Sequence, residues 1–109
     1  MPRFLIRARY SAAGVQGLIE DGGTDRSAAV RALYESLGGR VESFYFALGD
    51  VDAYAVVDMP DTVSAVAVSL TVAAAGFVAL EAIPLVTPEE VDAATRLSPA
   101  YDAPGRFDN

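Results

Sequence analysis

The chain contains no cysteine and no histidine, and all eight of its basic residues are arginines. Without cysteine there can be no disulfide, no thiolate nucleophile and no sulfur-ligated metal. Without histidine the chain lacks the commonest general base and transition-metal ligand, and without lysine it cannot form a Schiff base. A hard cation held by oxygen atoms is the one kind of metal that this composition leaves possible. We therefore expect neither a cofactor nor a metal site.

The net charge of −7 over 109 residues predicts one acidic domain. Its few arginines are scattered, which argues against binding to nucleic acid or to an anionic membrane surface. The stretch Thr62–Leu80 is uncharged and nearly long enough to span a bilayer, but it is rich in Ala, Val, Ser and Thr, and Gly76 divides it. We interpret it as a buried helix followed by a buried strand. Because Met1-Pro2-Arg3 leads directly into a strand-like run, we see no signal peptide and expect a cytoplasmic protein.

A β-hairpin is predicted at the centre of the chain. Two runs rich in apolar and aromatic residues, Arg40–Leu48 and Ala53–Asp58, flank the short connection Gly49–Asp52. Pro60 ends the second strand because proline cannot extend the interior of a sheet.

Two outer strands and four helical segments complete the pattern. Strict alternation predicts a strand over Arg3–Tyr10, and a short apolar run predicts another over Phe77–Ile83. The predicted helices are Ala12–Glu20 after Ser11, a segment after Thr24 that ends at Gly38-Gly39, Thr62–Ala75 after Asp61, and a last helix from Thr87 to about Leu97. In the third helix, Val63, Val66, Ala67, Leu70 and Ala74 form the main apolar stripe, and Ala65, Val68 and Val72 form a second one.

The order β-α-β-β-α-β is typical of an α+β, ferredoxin-like fold with a four-stranded antiparallel sheet and helices on one face. We assign residues 1–97 to this single domain and residues 98–109 to a C-terminal tail rich in Pro, Gly and Asp.

Alternation along the strands predicts which residues form the sheet face that the helices leave open. A large aromatic face with charges exceeds what a monomer usually exposes to water, so we predict a homodimer, or a higher oligomer, with sheets packed face to face. We expect Arg7 and Arg9 to pair with Glu42 and Glu81, within or across subunits, and favour interface ion pairs over ligand contacts. The predicted interface residues are Leu5, Arg7, Arg9, Glu42, Phe44, Phe46, Tyr54, Phe77 and Glu81.

Tyr10, Tyr34, Ser43 and Tyr45 are predicted to line the space between the sheet and the helices. Either they belong to a packed core, or they surround a small apolar cavity with a few polar groups, which is the usual form of a ligand site. Asp52 either stabilises the hairpin connection or acts in the site as a general base or arginine partner.

Several stretches together resemble the GYD-domain family of small bacterial proteins. The resemblance covers roughly residues 3–105 and is carried by Gly17–Gly23, Leu37–Phe46, Gly49–Asp52, Ala75-Gly76 and Pro84–Val91. In the motif that gives the family its name, Gly49 and Asp52 match, but Val51 stands where the tyrosine is expected. The resemblance implies a dimeric α+β-barrel-type fold and little about activity, because the family is similar to domains of unknown function.

Three functional hypotheses follow. The first is an oligomeric protein that binds a small apolar or aromatic ligand in the cleft between sheet and helices. The second is a cofactor-independent enzyme of the monooxygenase or isomerase type that acts on a small hydrophobic substrate in the same cleft. The third is a small-molecule sensing domain, although no DNA-binding segment accompanies it.

Overall fold

The computed structural model of the protein describes residues 1–105, so residues 106–109 of the predicted tail lie outside it. It confirms the α+β, ferredoxin-like order of elements with an additional C-terminal helix. The elements are β1 (Arg3–Tyr10), α1 (Ala12–Asp21), α2 (Gly23–Glu35), β2 (Arg40–Phe46), β3 (Ala53–Asp58), α3 (Thr62–Ala75), β4 (Val78–Leu85) and α4 (Pro88–Thr95).

The four strands form one antiparallel sheet in the order β2-β3-β1-β4. In β1, Phe4, Ile6 and Ala8 are buried beneath the helices, and their neighbours on β3 and β4 share this face. The alternate residues of β1, such as Leu5 and Arg7, lie on the other side, which we call the open face. The predicted assignment of β1, β3 and β4 to the two faces is confirmed.

A β-bulge at Glu42 makes the predicted faces of β2 wrong beyond Val41. Val41 pairs with Val57, but the next pair is Ser43 with Val56, so Glu42 is an extra residue in β2. Because strand side chains alternate with period two, one extra residue moves every later side chain to the opposite face.

The bulge turns two predicted interface aromatics toward the helices. Phe44 packs against the core, and the Phe46 ring lies against Gly23 at the start of α2. The two rings meet edge to face with centroids 5.0 Å apart. Ser43 and Tyr45 lie instead on the open face, where Tyr45 is 72% exposed. Their predicted places, with the phenylalanines on the open face and Ser43 and Tyr45 in the cleft, are wrong.

The core lies between the helix face of the sheet and the helices α2 and α3, and Val57 and Met59 are completely buried there. In α3 the two apolar stripes take the opposite roles from those that hydrophobicity predicts. Ala65, Val68 and Val72 face the core, whereas the predicted main stripe contains Val63, Val66 and Leu70, all exposed. The larger stripe of α3 is therefore uncovered in the single chain.

The helix starts follow the predicted caps, with one exception. Ser11, Asp61 and Thr87 each accept a hydrogen bond from the backbone of the first turn, and Thr87 completes a capping box with Glu90. The exception is α2, which begins at Gly23, one residue before the predicted cap Thr24.

Within residues 1–105, no helix is both long and apolar enough to cross a membrane.

Candidate functional site

A small apolar cavity lies between the sheet and α2. Its volume is about 50 Å³, which exceeds the ~10–15 Å³ that one water molecule needs. A water there would require two or more polar partners, and the walls are mainly apolar. The lining side chains from the sheet include Ile6, Ala8, Phe44, Ala55 and Leu80, and α3 adds Val72. A ligand that fits here must be small and mainly apolar.

Tyr34 lines this cavity and carries a buried polar group. It is only 3% exposed, and its hydroxyl has no hydrogen-bond partner among the residues that the structure describes. Burial raises the pKa of Tyr34 to about 12, so the hydroxyl stays protonated at neutral pH. It can therefore donate a hydrogen bond but does not serve as a tyrosinate base. Leaving such a buried group unpaired costs about 1–3 kcal/mol.

The cavity follows one face of α2. Arg26, Val30, Leu33 and Tyr34 have the spacing i, i+4, i+7 and i+8, which places them along the same side of the helix. At 1.5 Å per residue, Arg26 and Tyr34 are about 12 Å apart along the axis. Arg26 is partly exposed and forms no ion pair within residues 1–105. The cavity thus has Arg26 toward one end, Tyr34 toward the other and mainly apolar residues between them.

Of the five predicted ligand-binding residues, Tyr10 and Tyr34 line the cavity. Ser43 and Tyr45 do not, because the bulge places them on the open face. The prediction did not include Arg26, Val30, Leu33 or Phe44. The first three were recognisable in principle, since they share the helical stripe of Tyr34, whereas Phe44 could not be placed without the bulge.

Asp52 holds the hairpin connection to the end of β1. Its carboxylate accepts a 2.7 Å hydrogen bond from the backbone N–H of Tyr10, and its own N–H donates to the carbonyl of Ala8 at 2.9 Å. These contacts correspond to the structural interpretation of Asp52. The neighbouring Val51 is buried at 2% exposure, so it contributes to packing.

The open face carries ion pairs on its central and outer strands. Arg9 contacts Glu81 at 2.9 Å and Asp50 at 3.2 Å, and Arg7 lies 3.7 Å from Glu81. The expected pairing of Arg7 and Arg9 with Glu81 is confirmed. The expected pairing with Glu42 does not occur within the described chain, where Glu42 contacts Arg3 at 3.3 Å, and pairing across subunits stays a prediction. Arg3 and Glu42 lie near the end of the sheet at which Arg3 and Arg40 both pair with Asp58.

Asp58 forms the most buried charge cluster described. Its carboxylate accepts from Arg40 Nη2 at 2.8 Å and from Arg3 Nε at 3.1 Å. The hydrogen bond from Arg40 is the main reason that the pKa of Asp58 lies below its usual range, and the Arg3 contact acts in the same direction. This cluster joins β1, β2 and β3 at one end of the sheet.

Asp58 should therefore make stability depend on pH. A carboxylate with a lowered pKa stabilises the fold above its ordinary pKa of about 4, and this contribution disappears as the pH falls through the lowered value. We expect Asp58→Asn to lower the free energy of unfolding by about 1–3 kcal/mol at pH 7, and the difference from the parent chain to shrink below pH 4. Urea unfolding between pH 2 and 7 measures this. Asp50→Asn, which affects an exposed pair, is the control, and a difference that is independent of pH would contradict the assignment.

Comparison with known proteins identifies the family. The model of the GYD domain matches residues 4–95. The chain belongs to the GYD-domain family. No curated protein and no solved structure gave a significant match. In this GYD domain the matched region includes the sheet, all cavity-lining residues and α4, so the family assignment applies to the whole site.

Proposed function

We propose that this GYD-domain protein binds a small, mainly apolar molecule with one hydrogen-bond acceptor, in the cavity beneath α2. The observation that supports the proposal most is Tyr34, which lines an apolar cavity and whose buried hydroxyl lacks a partner within residues 1–105. Buried polar groups are nearly always hydrogen-bonded. An acceptor on the ligand would satisfy this hydroxyl, and the apolar walls would bury the remaining atoms.

Arg26 extends the proposal to ligands with an acidic group. Arg26 belongs to the cavity lining, and its guanidinium forms no ion pair within the described residues, so it is available to a carboxylate. A ligand long enough to reach Arg26 from Tyr34 would use both ends of the cavity.

The protonated state of Tyr34 favours binding over catalysis. A monooxygenase or isomerase would need a group that removes a proton from the substrate, and a phenol with a pKa of about 12 does not do so at neutral pH.

The open face carries the second part of the proposal, a homodimer in which two sheets pack together. This part is supported by a row of four uncharged residues that are neighbours across the four strands: Ser43, Val56, Leu5 and Ile83. On the open face this uncharged row lies between two rows that contain charged residues.

Substitution of Tyr34 tests the binding site. We expect Tyr34→Phe to raise the free energy of unfolding of the ligand-free protein by about 1–3 kcal/mol, because it removes a buried unpaired hydroxyl. We expect the same change to weaken binding of cyclopentanone about tenfold while leaving binding of cyclopentane unchanged, since only the ketone offers an acceptor. Urea unfolding and calorimetric titration measure the two effects. Tyr45→Phe on the open face is the matched control, and equal affinities of parent and Tyr34→Phe proteins for the ketone would contradict the proposal.

A further inference from the structure

The last segment of the chain, residues 86–105, projects from the domain, and we call it the C-terminal arm. It contains α4 and the residues that follow. The chain measures 65 × 30 × 24 Å and has a radius of gyration of 18.0 Å. A compact domain of this length would have a radius of gyration of about 13 Å. The difference indicates that the arm extends well beyond the sheet and its helices.

The arm is apolar but uncovered. Val86, Val91, Leu97 and Tyr101 are all exposed, the last two at 73% and 76%. All eight residues of α4 are exposed as well. A helix this short is marginal in water unless a packed face stabilises it. The arm therefore requires a surface that its own chain does not provide among the described residues.

The outer face of α3 offers a surface of matching chemistry. Val63, Val66 and Leu70 lie at i, i+3 and i+7 and form one exposed stripe, which we call the outer stripe of α3. No charged residue occurs from Thr62 to Leu80. The stripe is separate from the cavity and from the open face, so neither the ligand nor the proposed sheet-to-sheet contact covers it.

We propose that the C-terminal arm docks on the outer stripe of α3 in a second copy of this chain. At 1.5 Å per residue, the stripe from Val63 to Leu70 extends about 10 Å and α4, from Pro88 to Thr95, also extends about 10 Å, so the two helical surfaces match in length. A reciprocal exchange of two arms gives a closed, isologous contact. The inference goes beyond the proposed function and depends on neither the ligand nor the sheet-to-sheet dimer.

Charge favours the outer stripe over the open face as the docking surface. The start of α4 carries Glu89, Glu90 and Asp92. An apolar arm docked on the open face would bury the ion pairs of Arg3, Arg9 and Arg40 with their carboxylates, and desolvation of such pairs is costly. The outer stripe of α3 itself carries no charge, and the carboxylate of the N-cap Asp61 lies at only one end of it.

Disulfide cross-linking between two separately prepared proteins tests the contact directly, because the parent chain has no cysteine. One protein carries Val66→Cys and the other, of distinguishable mass, carries Val91→Cys. We expect the mixed pair to form a disulfide at least tenfold faster than a pair of Ile19→Cys and Val91→Cys, since Ile19 is an exposed residue of α1. Equal rates for the two pairs would overturn the proposal. Only links between different copies are counted, so contacts within one chain do not contribute.

Amide hydrogen exchange in the full-length protein tests the docking of the C-terminal arm independently. We expect the amides of residues 91–95 to exchange at least tenfold more slowly than in a peptide of the arm alone. The paired change Val66→Asp and Leu70→Asp on α3 should abolish this protection, whereas Ile19→Asp should leave it intact. Unprotected amides in the parent protein, or protection that survives the α3 changes, would overturn the proposal. Both aspartates replace exposed residues, so the fold itself should tolerate them.

Discussion

Replacing Gly14 with alanine is expected to destabilise the protein by about 3 kcal/mol, because α1 approaches the backbone of Phe77, the residue before β4, too closely for a side chain. A Cβ atom at Gly14 would collide with the backbone carbonyl oxygen of Phe77 and lie 3.2 Å from its carbon. That carbonyl cannot easily move, since it accepts hydrogen bonds from the backbone N–H of Ser11 at 2.9 Å and from the Ser11 hydroxyl at 3.1 Å. The collision therefore displaces the whole helix.

Gly17 provides a matched control in the same helix. A Cβ atom there would have nothing within 4 Å. We expect Gly17→Ala to stabilise the protein by about 0.5–1 kcal/mol, because alanine loses less backbone entropy than glycine in a helix interior. Urea unfolding of both variants measures the difference in the free energy of unfolding. If Gly14→Ala stabilised the protein as Gly17→Ala is expected to, α1 would not be packed on Phe77.

Replacing Leu5 with aspartate is expected to convert the proposed homodimer into a monomer. Leu5 lies on the central strand β1 between Val56 and Ile83, in the middle of the uncharged row of the open face. Two-fold symmetry would place two such aspartates in one interface. Each uncompensated buried charge costs about 3–5 kcal/mol, so the dissociation constant should rise at least a thousandfold.

Native mass spectrometry across a dilution series measures this change in assembly. Leu48→Asp is the control, because Leu48 is fully exposed next to the hairpin connection and lies outside the uncharged row. Far-ultraviolet circular dichroism verifies that both variants are folded. A Leu5→Asp protein that remains dimeric at the same dilution as the control would contradict the sheet-to-sheet contact.

The architecture could be predicted from the sequence because strong local signals agree with each other. The alternation of β1, the caps Ser11, Asp61 and Thr87, and the stop at Gly76 each define the end or face of one element. The order of those elements then leaves few topologies. The same agreement allowed Tyr10 and Tyr34 to be placed at the cavity.

The faces of β2 could not be predicted because one residue changed them. Strand alternation carries no sign of a bulge, and Glu42 is an ordinary strand residue by composition. With the bulge, Glu42 lies 3.3 Å from Arg3 on the open face while Phe44 packs against the core. For this reason the predicted interface included two aromatic residues that belong to the helix side.

The prediction of which stripe of α3 is buried was wrong for a different physical reason. Hydrophobicity favours the stripe of larger side chains as the buried one. The core instead accepts Ala65 and Val68, since the helix must lie close to a sheet whose buried side chains include the large Phe4 and Ile6. The larger side chains of α3 remain outside, which is the basis of the proposed docking surface.

The most direct test of the proposed function is to locate a bound probe by methyl NMR. Titration with cyclopentanone should shift the methyl signals of the cavity residues Val30, Leu33, Ala55 and Leu80 and leave Leu5 and Ile83 on the open face unchanged. In the Tyr34→Phe protein the same shifts should require about tenfold more ketone. Shifts confined to the open face, or none on the cavity residues at saturating ketone, would contradict a ligand site beneath α2.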